Sequence, residues 1–198
     1  IDDLVVLGDS IGLGGALQRL DVDGAARATF TNPAPAGGQV FSSTFTLASE
    51  PDGLHFLSSF AQDTLGNVEP VSVTTVAVDN TPPVTALAMR DGRLFPGPDR
   101  ASFYASTAAR IGFAAADPLS GGVASGLAST DWQDNGGAFQ AFDAAFGLPE
   151  GSHALGYRSR DNVGNLEAPR STNVWVDATP PVSSFAFGTP YYSAPDGA

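Results

Sequence analysis

Three groups of residues in this chain have types and spacings that could do chemistry. The first is a serine behind an apolar run, Leu4-Val-Val-Leu-Gly-Asp9-Ser10, with Asp52-Gly-Leu-His55 further along. A serine nucleophile needs a histidine to take its proton and a carboxylate to orient that histidine. The second is a pair of turns, Asp63-x-x-Gly66-Asn67-x-Glu69 and Asp161-x-x-Gly164-Asn165-x-Glu167. Their carboxylate, amide and backbone oxygens suit a hard cation, and Ca²⁺ takes six to eight of them. Asp79 and Asp177, downstream of each turn, could complete such a site between domains. The third is Trp132 and Trp175, flat rings on which a sugar could stack.

Each group also has a plainer reading. In the turns, Gly and Asn supply positive φ while Asp caps backbone N–H groups, which makes an ordinary hairpin. Only two or three carboxylates converge per turn, so the hairpin reading is preferred and Ca²⁺ is an addition to it. His55 and His153 each sit two residues after a glycine at what read as strand starts, with no second His nearby. A shared structural position accounts for both. Trp175 lies between Val174 and Val176. If those valines face a core, the tryptophan faces out, and single exposed aromatics are common.

The elements that must position these residues come from an internal repeat. Shifted by 98 residues, positions 38–88 align with 136–186 without a gap, and 19 of the 51 pairs are identical. Gly53, His55, Leu57, Asp63, Gly66, Asn67 and Glu69 fall on Gly151, His153, Leu155, Asp161, Gly164, Asn165 and Glu167. Val76, Val78, Asp79, Thr81, Pro82 and Pro83 fall on Val174, Val176, Asp177, Thr179, Pro180 and Pro181. Upstream, Leu17 and Asp21 match Leu127 and Asp131, so the first copy carries a 12-residue insertion near AARATFTNPAPA. Asp9 aligns with Asp117 and His55 with His153, so the repeat explains both halves of the serine group.

A period this long holds a whole domain. His153, Leu155 and Tyr157 alternate with Ala154, Gly156 and Arg158, a strand with one apolar face. Further strands read at Val84–Met89, Arg110–Ala116, Leu127–Gln133, Phe139–Leu148 and Thr172–Asp177, each bounded by turn formers. The Ala-rich stretches at 105–116 and 141–146 are the only helix candidates. About seven short strands per period predict an all-β chain of tandem immunoglobulin-like (fibronectin III-like) β-sandwiches. The expected core is Leu57, Val76, Val78, Phe113, Leu155, Tyr157, Val174 and Val176.

EGSHALGYRSRDNVGNLE and VDATPPV resemble the bacterial Ig-like tandem repeats of large secreted and surface proteins. There the Gly-x-His strand, the Asp-x-x-Gly-Asn-x-Glu turn and the Asp-x-Thr-Pro-Pro junction recur once per domain. The resemblance implies an extracellular, cell-surface structural or spacer array whose partners are neighbouring repeats or other copies, head to tail. The first copy departs from the pattern at Ser59, which stands opposite Tyr157. LVVLGDSIGLGG in turn resembles the nucleophile block of GDSL-type (SGNH) esterases, which would make Ser10 the nucleophile and His55 its base. That family's Asp-x-x-His lies near the end of a domain, its oxyanion Gly-x-Asn-Asp block is missing here, and so is a helix-rich pattern. The esterase and a carbohydrate-binding accessory module are the rival readings; the preferred one is not an enzyme.

Composition narrows the partners. The net charge is −12, with nine Arg, no Lys and no Cys. A chain this acidic lacks the basic footprint for nucleic acid or anionic membranes, and no apolar run is long enough to span a bilayer. Disulfides and thiolate metal sites are excluded. The expected partition is 1–80, a domain without its first strand; 81–178, a complete domain; and 179–198, a first strand with no domain behind it. The chain opens on Ile1 and reads as two periods from a longer array. Val182, Ser183, Ser184, Phe185, Ala186 and Phe187 repeat Val84–Met89 and follow the same Thr-Pro-Pro. They are the expected donor strand for β-strand addition into a neighbouring copy, which would build a filament.

Overall fold

A computed structural model describes residues 4–10, 17–31, 39–47, 49–62, 66–91, 94–186 and 188. Every regular element among them is a β-strand, so the Ala-rich stretches are not helices. Arg110–Ala116 is extended because its apolar residues must face a core on a period of two, and Ile111 and Phe113 are buried there.

Among the described residues, the strands before residue 79 pair only with one another. β1 (Leu4–Ser10) pairs antiparallel with β4 (Gln39–Phe45). A second sheet has the order β3 (Ala25–Thr31), β2 (Leu17–Val22), β5 (Gly53–Gln62), β6 (Ser72–Val78). Val22, Leu47, Leu57 and Val78 are buried together, with Val76 packed against them. The strands after residue 83 do the same. β7 (Val84–Asp91) pairs with β10 (Arg110–Ala116). Opposite them runs a six-stranded sheet: β12 (Gln140–Ala141), β11 (Leu127–Asp134), β13 (Gly151–Asp161), β14 (Arg170–Val176), β9 (Ser102–Ala105), β8 (Phe95–Pro96). Its core holds Ile111, Leu148, Leu155, Val174 and Val176, and Trp132 stacks on Phe146 at 3.7 Å between ring centres. Phe113 and Tyr157 are also buried, 5.0 Å apart.

Pairing register follows the sequence offset. Gly53, His55 and Leu57 lie opposite Val78, Val76 and Thr74; Gly151, His153 and Leu155 lie opposite Val176, Val174 and Thr172. Part of the extra stretch of the first copy has a definite place: Ala25–Thr31 forms β3, hydrogen-bonded to β2. The matching position beside β11 is held by β12, whose sequence counterpart β4 pairs with β1 instead. Phe139–Leu148 is therefore mostly loop, with Gln140–Ala141 its only strand and Phe146 bridged to Ile111.

Candidate functional site

Where the two groups of strands meet, three carboxylates converge. Asp79, Asp117 and Asp161 each place an oxygen within 4.8 Å of the others. Asp79 is 4% exposed and Asp161 1%. Asp79 Oδ1 accepts the Thr81 N–H at 3.1 Å and its Oδ2 the Ser125 N–H at 2.7 Å. Asp161 Oδ1 accepts the N–H groups of Val163, Gly164 and Asn165 at 3.1, 2.7 and 2.7 Å. The Asn165 amide donates to Asp161 Oδ2 at 2.7 Å and to the Asp79 carbonyl at 2.8 Å, tying the turn to the linker. Asp117 Oδ2 accepts the Gly126 N–H, whereas its Oδ1 is buried with no hydrogen-bond partner. None of the ion pairs among the described residues reaches any of the three. At an effective dielectric of about 20, ionised pairs this close repel by roughly 3 kcal/mol or more each.

The expected cation ligands thus separate. Asp79, Asp161 and Asn165 come together, and Asp117 joins them. Glu167 is used elsewhere: its oxygens accept the Thr85 and Ser159 N–H groups at 2.9 and 3.2 Å, and Arg170 pairs with it at 2.7 Å. Asp177 is exposed at the far end of the C-terminal strands. Asn67 and Glu69 are exposed, and Asp63 lies outside the described residues. Asp117 was missed because it is distant in sequence; its alignment with Asp9 was the available signal.

The two halves also touch through Asp52. Its Oδ1 accepts the Asn80 N–H at 2.6 Å and the Asn80 amide at 2.9 Å, and the Thr81 hydroxyl donates to its Oδ2. The Ser120 hydroxyl first, then Thr81 and the Asn80 N–H, pull this carboxyl down to about 2. The tight turn at Ser120–Val123 rests on the backbone of Asp52: a Cβ on Gly121 would lie 1.9 Å from the Asp52 carbonyl oxygen. The same fittings recur past Val176. The Thr179 N–H donates to Asp177 Oδ1 at 2.8 Å, and its hydroxyl to Glu150 Oε1 at 3.0 Å.

Both histidines are clamped. His55 Nδ1 meets Asp23 Oδ2 at 2.7 Å and Nε2 meets the Pro51 carbonyl at 2.8 Å. His153 meets Asp134 Oδ2 at 2.7 Å and the Pro149 carbonyl at 3.0 Å. Asp23-Gly24 and Asn135-Gly136 have positive φ at both positions, as type I′ turns require, and so aim these side chains. One residue, Asp23, does two jobs, because its Oδ1 also accepts the Phe56 N–H; the second copy divides them, with Asn135 taking the Ala154 N–H. The Asp-Gly and Asn-Gly pairs were a readable signal.

The Pro51 carbonyl, then Asp23, raise the His55 pKa. Both ring nitrogens are engaged by these two acceptors, which leaves neither for Ser10, the residue that ends β1 opposite Gln39. The other acidic group, Asp23, Glu50 and His55, is charge-balanced by the ring itself and by Arg27 on Glu50. A raised folded pKa stabilises below the unfolded value of about 6.5 and is lost as pH rises through the folded one. Asp23, lowered chiefly by the Phe56 N–H, works oppositely: its contribution is present above about 3.8 and lost as pH falls through its folded value. Resistance of the N-terminal strands to urea should therefore be greatest between about pH 4 and 6 and decline as the pH rises through the folded His55 value. His55→Gln should flatten the alkaline decline; an unchanged slope would remove His55 as its cause.

Trp175 faces outward, as its neighbours required, and Trp132 is half-buried against Phe146. Val182–Ala186 is exposed and outside any strand, with Val182 at 96% and Phe185 at 92%; Phe187 lies outside the described residues. Among the described residues no helix is long and apolar enough to cross a membrane.

Residues 39–139, from β4 through β11 and across the Asp79 junction, match the family described as bacterial Ig-like domain (group 3). No curated protein matches the chain. Among solved structures it is similar to the Clostridium thermocellum CbhA fibronectin(III)-like modules, at 14% identity over 89% of this chain and 86% of that one, with a TM-score of 0.38. The family match takes in 101 of the 198 residues and carries the all-β architecture with it, so the chain belongs to the bacterial Ig-like domain (group 3) family.

Proposed function

We propose that this chain is a non-enzymatic spacer: two Ig-like modules, 1–80 and 81–178, set in an extracellular head-to-tail array. The observation that carries this reading is the repeated end fitting. Asp52, Asp79 and Thr81 hold the second module, and Glu150, Asp177 and Thr179 present nearly the same groups at the next end. Asp177 is exposed where Asp79 is buried, as a socket awaiting its module would be. Pro82 and Pro83 stiffen the linker by fixing φ and removing donors.

The orphaned Asp117 oxygen supports a second element of the reading. A Ca²⁺ ion held by Asp79, Asp117 and Asp161 would neutralise carboxylates that no cationic side chain among the described residues pairs with. The segment 179–198 continues the array. Val182–Phe187 takes the place that β7 has beside β10, either in the next module of one polypeptide or beside β1 of another copy. Among the described residues β1 hydrogen-bonds only to β4.

Sedimentation velocity and thermal melts, in Ca²⁺ and in chelator, test these points together. The full chain should form head-to-tail oligomers, and the chain without residues 179–198 should remain monomeric. If the truncated chain still assembles, or the full chain never does, strand addition between copies is wrong. Ca²⁺ at a hundredfold excess over its Kd should raise the melting midpoint by about 10 °C. Asp117→Asn should abolish that rise, and a chain indifferent to Ca²⁺ has no cation at this junction.

A further inference from the structure

Three exposed aromatic residues lie side by side on the outer face of the large C-terminal sheet. Trp175 on β14 is in register with Tyr104 on β9, and Tyr104 with Phe95 on β8. They are 45%, 44% and 58% exposed, whereas Val174, Val176 and Ala105, one position away, point into the core. Paired residues share a face, so the rings form one line across three strands. We infer that this line is a binding platform for an extended neutral glycan chain.

Spacing comes first. Adjacent strands lie about 4.8 Å apart, so the three rings span about 10 Å. An extended β-linked pyranose chain advances by a comparable step per sugar and offers each ring a face of C–H groups. Those C–H groups are weakly positive and the faces of aromatic rings negative, so the two surfaces attract. Polar groups flank the line: Ser152 is paired with Trp175, and Asn173 is exposed on the same face two residues before it. They can meet sugar hydroxyls.

Size and charge select the occupant. With each side chain contributing on the order of 200 Å², the exposed portions of the three offer about 300 Å². A stable protein interface needs about 800 Å² per partner. A narrow chain fits such a strip and a protein surface does not. The net charge of −12 disfavours polyanionic glycans. The next module of an array is not the occupant either: the counterpart of Trp175 is Ala77, which stays exposed although the C-terminal strands are seated on the N-terminal ones. The inference needs only the C-terminal sheet, so it stands or falls apart from the array.

Native gels cast with hydroxyethylcellulose, glycol chitin or galactomannan should retard the chain in at least one of the three. Trp175→Ala and Tyr104→Ala should each weaken that retardation about tenfold or more, and Trp175→Phe should keep most of it. Leu119→Ala, at an exposed apolar residue outside the line, should change nothing. Trp132 is packed on Phe146, so quenching of tryptophan emission by the matching hexasaccharide should report Trp175 and vanish in Trp175→Ala. Failure of all three polysaccharides to retard the wild-type chain would overturn the inference. So would equal retardation of wild type and Trp175→Ala with unchanged circular dichroism.

Discussion

Asp161→Ala is expected to cost about 3–5 kcal/mol and to lower the urea midpoint of the C-terminal strands by about 2 M. The carboxylate is 1% exposed and holds three consecutive N–H groups plus the Asn165 amide. Charge-assisted bonds of this kind are each stronger than a neutral one, and alanine leaves all four donors without it. The effect should spread to the linker, because Asn165 uses its other hydrogen on the Asp79 carbonyl. Asp161→Asn keeps an acceptor for the turn and should cost markedly less. Equilibrium urea unfolding followed by fluorescence separates these outcomes. An alanine variant within 1 kcal/mol of wild type would mean that the turn is held by its glycine and neighbours alone.

Gly121→Ala should separate the two halves while leaving each folded. Gly121 has φ of +57°, and its added Cβ would meet the Asp52 carbonyl oxygen at 1.9 Å and the carbonyl carbon at 2.4 Å. Both obstacles are backbone atoms, so no rotamer change relieves them. Gly122 supplies the control. Its φ is +82° with nothing within 4 Å of the added carbon, so Gly122→Ala carries the left-handed strain of about 1 kcal/mol without the collision. Small-angle scattering should show a larger radius of gyration for Gly121→Ala only. The Asp52 titration should also move up from about 2 toward the ordinary value, since its largest influence is the Ser120 hydroxyl next to Gly121. An unchanged scattering profile would show that the turn merely lies near Asp52.

Much of this architecture was legible because β pairing and repeat spacing are both written locally. The period-2 pattern of His153, Leu155 and Tyr157 located β13, and the 98-residue offset carried the assignment to β5. The outward placement of Trp175 followed from its two valine neighbours. The junction was harder to see. Asp79 and Asp161 were singled out, but Asp117 and the Ser120–Gly126 loop join them only through folding, across the linker. Glu167 lies in the same motif as Asp161, yet its oxygens accept the Thr85 and Ser159 N–H groups, and Thr85, on β7, comes near it only through folding. The aromatic line was invisible for the same reason: Phe95, Tyr104 and Trp175 are brought into register by pairing that no local pattern reports. Of β12, only the pairing beside β11 made a strand of a stretch whose Phe139 and Phe146 suggested a longer one.

The parallel pairing of β9 with β14 has a mechanical consequence. Ser102–Ala105 stands near the beginning of the C-terminal strands and Asn173–Val176 at their end, and the two run side by side in the same direction. Tension applied through Thr81 and Thr179 first loads β7 against β10; once that pair gives way, it pulls the start of β9 and the finish of β14 apart along their common axis. The hydrogen bonds between them are then strained in shear, all together, and must give way as a group. An antiparallel pair pulled from its open end would instead unzip, its bonds breaking in succession. A module wired in this order keeps, behind its entering strand β7, a short ladder that yields only by releasing all of its bonds at once.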